Sequence, residues 1–333
     1  MGGRLRRPRS RVGWALGGRP RPGFGSFRRS RVSPAGILAY QAGRESEVGQ
    51  LTWFDRSGKP VDSLPVDASG RNPEISPDGS LVAVSKSGAS GTSIWVTDLA
   101  RKSASPVTFG GVNGSPAWSP IRKRLAFFRS VGKDAGVHVV DVTDASKDQF
   151  LEGTLHNAPD SWSPDEKYLL LESRPGRMIL FALDGSQKTI PVGSRNGRSG
   201  QGRISPDGKF IAFTSNESGR SEIWIQAMPP GTLQKRVSIN GGQSPRWRGD
   251  GKELFFVSPD AEMMAVDITL DPINSPGVPH QLFPLKSAAP NDLMGYDVRP
   301  DGQQFVIFMR QRGTQDTPIT VVLNWWAELR QEP

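Results

Sequence analysis

The 333-residue chain contains no cysteine. That excludes disulfide staples, thiolate nucleophiles and cysteine-ligated metals together. Histidine is nearly as scarce: His138, His156 and His280 are the three copies, and none is paired at metal-ligand spacing. His138 lies within an apolar run, the usual place of a satisfied structural histidine. Long apolar runs are missing too, and no stretch approaches the ~20 residues of a membrane-spanning helix. The nucleophile turn of serine hydrolases, Gly-x-Ser-x-Gly, does not occur. The nearest string, Gly197-Arg198-Ser199-Gly200, has the wrong spacing.

Acidic residues are absent from the first 31 positions, which hold ten arginines. The net charge of +9 is therefore local, because the remainder carries 32 basic against 33 acidic residues. A folded body that gripped phosphates would be basic, so no nucleic-acid binding is expected of it. Residues 1–27, rich in Arg, Gly and Pro, have no apolar periodicity and read as a disordered or mis-assigned segment. An export signal needs an apolar core of about 7–15 residues after the charges. Only Trp14-Ala15-Leu16 offers one before Arg19 and Arg21 intervene. A polyanion-binding arm is the other reading of this segment.

What is abundant is turn chemistry. Apolar residues make up only 35% of the chain, against 38 glycines and 28 prolines. The apolar residues fall in short clusters at regular spacing. Seven markers align: Ser33-Pro34-Ala35-Gly36, Ser76-Pro77-Asp78-Gly79, Ser119-Pro120-Ile121-Arg122, Ser163-Pro164-Asp165-Glu166, Ser205-Pro206-Asp207-Gly208, Arg248-Gly249-Asp250-Gly251 and Arg299-Pro300-Asp301-Gly302. Their fourth positions step by 43, 43, 44, 42, 43 and 51 residues. Proline presets φ, Asp bonds nearby backbone, and Gly accepts positive φ, so each marker is a tight reversal. The repeated aspartates are read as turn caps ahead of calcium ligands.

A short apolar strand follows every marker, as in Leu81–Val84, Tyr168–Leu171 and Phe305–Phe308. These runs are continuous, as in strands covered on both faces. A third strand comes next, ending in Asp at Asp55, Asp98, Asp141 and Asp267, and an outer strand follows in most units. A unit of four strands in about 43 residues, repeated, is the arithmetic of propeller blades. The fold class is therefore all-β, a propeller of about seven four-stranded blades with six as the alternative, in a single domain over 28–330. A β-sandwich of short strands explains the turns but not the period. The last unit ends near Trp326 without a fourth strand. Closure then needs either Val12–Leu16 or a strand from outside the chain.

The pattern Ser-Pro-Asp-Gly, apolar strand, Ile-Trp-Val-x-Asp resembles the WD-like repeats of TolB-type propellers and of the dipeptidyl-peptidase N-terminal propeller. Gln50–Lys59 (QLTWFDRSGK) and Pro318–Leu329 (PITVVLNWWAEL) resemble the first and last repeats of the propeller at the C-terminus of many bacterial serine/threonine protein kinases. No Gly-rich nucleotide loop, His-Arg-Asp loop or Asp-Phe-Gly accompanies them. The resemblance implies a sensor or scaffold of a kinase system, or a TolB-like envelope or periplasmic protein.

The repeat also singles out a ring. Just before each marker sit Val32, Ile75, Trp118, Trp162, Ile204, Trp247 and Val298, which should pack between blades. One residue earlier are Arg31, Glu74, Ala117, Ser161, Arg203, Arg246 and Asp297, five of them charged. Charges cannot be buried unpaired without heavy cost, so they are expected to face a central channel. Arg31, Glu74, Ser161, Arg203, Arg246 and Asp297 are the candidate ligand-facing set, with an ion-pair ring that only solvates the channel as the rival reading. The expected function is a monomeric, non-catalytic binding module for a protein or peptide, without cofactor or metal. Two alternatives stand beside it: a hydrolase or lyase with a metal-assisted site at the channel mouth, and nucleic-acid binding by the N-terminal arm. Trp325 and Trp326 read as closure packing or an exposed patch.

Overall fold

A computed structural model of the chain describes residues 30–32, 37–41, 49–64, 70–88, 91–173, 176–194, 196–231, 233–269, 276–285, 293–310 and 319–323. The N-terminal segment 1–27, Val12–Leu16, Trp325 and Trp326 lie outside them. All regular structure among the described residues is β, and no helix there is long and apolar enough to cross a membrane.

Residues 47–313 form a six-bladed propeller of four-stranded antiparallel sheets. Blade 1 comprises Gly70–Ile75, Leu81–Gly88, Gly91–Asp98 and Ser103–Pro106. Blade 2 comprises Asn113–Trp118, Arg124–Arg129, Gly136–Asp141 and Asp144–Phe150. Blade 3 comprises Asn157–Trp162, Tyr168–Ser173, Arg177–Ala182 and Thr189–Val192. Blade 4 comprises Ser199–Ile204, Phe210–Ser215, Glu222–Ala227 and Gln234–Arg236. Blade 5 comprises Gln243–Trp247, Glu253–Val257, Glu262–Asp267 and His280–Pro284. Blade 6 joins Leu293–Val298 and Gln304–Arg310 to Gly49–Asp55 and Pro60–Ser63 from the other end of the propeller sequence.

Blade 6 explains why seven repeats give six blades. The last repeat supplies its first two strands, and the first repeat supplies the third and fourth. Phe305 pairs with Phe54, Ile307 with Thr52 and Phe308 with Leu51 across the closure. Closure therefore uses neither Val12–Leu16 nor a strand from outside the chain. The left-over strand Ser30–Val32 pairs with Ile37–Gln41, which pairs in turn with Ile319–Leu323, in a separate three-stranded sheet. Ile319–Leu323, although it follows the apolar strand of the last repeat, thus belongs to another sheet. The reason is packing: Leu51 and Trp53, carried by the closing strand, are buried against Ile75, Val82 and Val84 of blade 1.

Six apolar clusters, one at each seam between neighbouring blades, form the core. The second strands carry the largest share, and Leu169, Leu170 and Leu171 are all inaccessible to solvent, on both faces of one strand. The residues preceding the markers are buried at the seams: Ile75, Trp118, Trp162, Ile204, Trp247 and Val298. Each tryptophan among them also reaches the neighbouring blade through its indole N–H. Trp118 donates to the Glu74 carbonyl at 2.9 Å, Trp162 to that of Ala117 at 3.0 Å and Trp247 to that of Arg203 at 3.0 Å. The marker aspartates cap their own turns. Asp78 accepts from Ser76 Oγ at 2.6 Å and from the Ser80 amide at 3.0 Å, and Asp165, Asp207, Asp250 and Asp301 each accept from the amide two residues on in the same way. His138 is buried, bonded to Asp148 at 3.0 Å and to the Asp134 carbonyl at 3.0 Å.

Candidate functional site

The innermost strand of every blade carries a β-bulge just before the ring position. A bulge bends the strand and re-aims the side chains that follow. In four blades the bulge holds a non-glycine residue at positive φ: Asn72 (50°), Ser115 (51°), Gln201 (58°) and Ser244 (59°). In blade 6 Gly295 takes that position at φ 126°, a value that glycine reaches without penalty.

Beyond the bulges the side chains meet. Arg203 Nη2 of blade 4 and Glu74 Oε2 of blade 1 are 2.9 Å apart. In a ring of six these blades face each other, so the pair bridges the channel. Arg246 Nε of blade 5 lies 3.1 Å from Asp297 Oδ1 of blade 6, and Asp297 Oδ2 accepts from the Ile75 amide at 2.7 Å. The Arg246 guanidinium also stands 5.4 Å over the Tyr296 ring. The Ser161 hydroxyl accepts from the Ile204 amide of blade 4 at 3.3 Å. Ala117 is buried. Arg31 is not a member of the ring, because its strand belongs to the separate three-stranded sheet.

A cavity of about 590 Å³ lies above this layer, toward the start of the innermost strands. Its polar lining includes Arg71, Glu74, Asp160, Glu172, Arg203 and Arg246. Asp160 and Glu172 were not legible as site residues from the ring positions alone. Asp160 Oδ2 accepts from the Gly202 amide at 2.9 Å, and Glu172 Oε2 from the Gln201 amide at 3.0 Å. Asp160 does carry a signal in the repeat. It stands at the position where blades 1, 2 and 5 have Pro73, Pro116 and Pro245. Glu172 carries none, because it lies near the end of a second strand, Tyr168–Ser173, at a position whose counterparts vary between blades.

Burial dominates the electrostatics. It raises the Glu74 carboxyl to about 7 against the pull of Arg203. Burial, reinforced by the Glu172 charge, likewise raises Asp160 to about 7. Glu172 is raised by burial and opposed by the Gln201 amide. The Tyr296 phenol is pushed up by burial and donates to the Ser244 carbonyl at 2.7 Å. Among the described residues, no group of three or more His, Asp or Glu side chains gathers to hold a metal ion.

No family model matches the chain. Over 129 residues, 37% of this chain, it is 35% identical to the Tol-Pal system protein TolB of Anaeromyxobacter dehalogenans. That stretch spans 29% of the TolB protein, so the likeness covers well under two thirds of the relative. The structure of a TolB-like protein from Agrobacterium tumefaciens superposes with a TM-score of 0.61 at 19% identity, over 79% of this chain and 98% of that one. An oligogalacturonate lyase in complex with manganese shares the fold with a TM-score of 0.52 at 13% identity, over 87% and 98% of the two chains. None of these relatives is described as a protein kinase. With six seam-packed blades and a closing blade drawn from the first and last repeats, the folded body is a six-bladed β-propeller, similar in part of its sequence and in its fold to TolB proteins.

Proposed function

We propose that this propeller is a non-catalytic module that recognises a protein or peptide at the mouth of its axial cavity. The observation that supports it is the cavity itself. Its charged walls are already held by Arg203–Glu74, Arg246–Asp297 and two amide-to-carboxylate bonds. Walls held in place before binding reduce the entropy lost on binding, which favours recognition. By the resemblance of its first and last repeats such a module would serve a kinase-linked sensor, or, by that of its repeat pattern, an envelope protein, acting as a monomer.

Peptide selection on the immobilised chain tests this reading. Gln243 is exposed and lines the cavity, so Gln243→Arg adds bulk and charge at the mouth without touching the ion pairs. Peptides enriched on the unmodified protein should bind Gln243→Arg at least about tenfold more weakly, roughly 1.4 kcal/mol. They should bind Lys209→Glu, a change on the exposed turn of blade 4, equally well. No enrichment, or equal binding to all three proteins, would sink the proposal.

A lyase or hydrolase site at the same mouth is the second reading. It is favoured by two carboxyls, Glu74 and Asp160, that exchange protons near neutral pH within a cavity. Incubation with oligogalacturonate and manganese separates the readings. Release of an unsaturated product that disappears in Asp160→Asn supports the enzyme, and no release supports the binding module.

A further inference from the structure

Arg248 and Arg299 hold equivalent positions in blades 5 and 6, where blades 1 to 4 have Ser76, Ser119, Ser163 and Ser205. Blade 5 neutralises its arginine twice. Arg248 Nε lies 2.7 Å from Asp250 Oδ1, and its Nη1 lies 3.0 Å from Glu253 Oε2. Arg56 of blade 6 adds a second cation to Glu253 at 2.6 Å. At the next seam the same layout loses its anion. Gln304 stands where Glu253 would, and Leu99 stands where Arg56 would.

Arg299 is consequently left with its charge open. Its guanidinium lies 4.4 Å over the Trp53 ring, and Nη1 makes a 3.4 Å bond to the Gly79 carbonyl. Its Nε is buried without a hydrogen-bond partner, and among the described residues Arg299 is in no ion pair. Asp301, the counterpart of Asp250, keeps the turn bond from the Gln303 amide at 2.9 Å but makes no ion pair with Arg299 among the described residues.

A cavity of about 190 Å³ opens beside it at the seam of blades 6 and 1, lined by Arg299, Gln304, Trp53, Ser63, Thr97 and Lys102 among others. Thr97 is 0% exposed and its hydroxyl has no partner. Blades 2, 3 and 5 put Val140, Phe181 and Val266 at that position, so the repeat does not require a hydroxyl there. A buried polar group without a partner is uncommon and calls for an explanation. The rim carries no net charge, since Lys102 pairs with Asp62 at 3.2 Å. The seam thus sets a guanidinium without an internal anion and a residue with an idle, buried hydroxyl along the same small space.

We infer that this seam binds a small oxyanion of carboxylate or phosphate type, held by the Arg299 guanidinium and the Thr97 hydroxyl. The planar fork of arginine matches both anions. The site is distinct from the axial cavity and does not depend on what binds there.

Calorimetric titration of the full chain with sodium phosphate, and separately with sodium succinate, at fixed ionic strength tests it. One saturable site is expected. Gln304→Glu restores the internal acid of blade 5 and should weaken binding at least about tenfold. Gln303→Glu, the same charge change on an exposed neighbour, should change it by less than about twofold. Thr97→Val keeps the shape and removes the hydroxyl, and should weaken binding about threefold to tenfold. Saturation by phosphate alone assigns a phosphate site, and by succinate alone a carboxylate site. No saturable heat from either anion overturns the inference. So does binding that survives Gln304→Glu, or that Gln303→Glu weakens equally.

Discussion

Arg203 and Glu74 are 129 residues apart in sequence, yet their side chains meet 2.9 Å apart across the channel, from blade 4 to blade 1. The pair ties opposite sides of the ring together and forms the floor of the axial cavity. Each side chain is about one-sixth exposed, at 15% and 16%. Removing one partner leaves the other charge poorly solvated, while removing both does not.

Arg203→Gln should therefore lower stability by roughly 2–3 kcal/mol at pH 8, where the Glu74 carboxyl, raised by burial to about 7, is ionised and left unpaired, a figure reduced for the residual exposure. Glu74→Gln combined with Arg203→Gln should recover part of the loss. Urea unfolding midpoints at an unchanged slope measure both. A single variant as stable as the parent would mean that water already screens the pair.

The tryptophans before the markers should behave alike. Trp118→Phe keeps most of the apolar bulk at the seam and removes the donor to the Glu74 carbonyl. A loss of about 1–3 kcal/mol is expected from the stranded carbonyl and the smaller ring. Trp162→Phe and Trp247→Phe should fall in the same range, since their bonds to Ala117 and Arg203 are equivalent. Thermal or urea unfolding of the three variants checks this, and a wide spread among them would count against a shared role.

Stability should fall as pH rises through the acid range. Asp160 is raised in the folded chain from an ordinary 3.8 to about 7, so between those values the folded state holds a proton that the unfolded state has lost. Its contribution is present in full below pH 4 and disappears as pH passes 7. The slope approaches about 1.4 kcal/mol per pH unit for one proton. Asp160→Asn keeps an acceptor for the Gly202 amide and should reduce the slope between pH 4 and 7, leaving the share of Glu74, which is raised from 4.5 to about 7. An unaltered slope in that variant would assign the proton elsewhere.

The absence of cysteine makes ring closure directly testable. Gln50 and Met309 are opposite each other where the first repeat pairs with the last. Gln50→Cys with Met309→Cys should form one disulfide on oxidation and raise stability by about 4–5 kcal/mol, because the bond closes a very long loop. Intramolecular bond formation read by mass spectrometry, followed by unfolding, decides it. Failure to cross-link would place the first-repeat strand elsewhere.

Much of this was legible because a repeat reports on itself. The markers, the apolar second strands and the seam residues recur at a fixed step, and each answers to local chemistry: a turn, a strand buried on both faces, an interface. Glu74, Arg203, Arg246 and Asp297 could be picked out because they interrupt an apolar position in that register. Asp160 was visible only as an acid in place of proline, and its pairing with the Gly202 amide depends on a blade 42 residues away in sequence. Glu172, the open charge of Arg299 and the cavity beside Thr97 depend on which side chains the neighbouring blade presents.

The sequence by itself determined the blade, its turns, its buried strands and the positions that face inward, because these depend on interactions within one repeat or between adjacent ones. Only the tertiary structure decided the number of blades and the identity of the closing strands. Local propensity does not distinguish Gly49–Asp55 from Ile319–Leu323 as partners for Gln304–Arg310. The choice is made by long-range packing, when Leu51 and Trp53 find the apolar face of blade 1 and the ring closes at six.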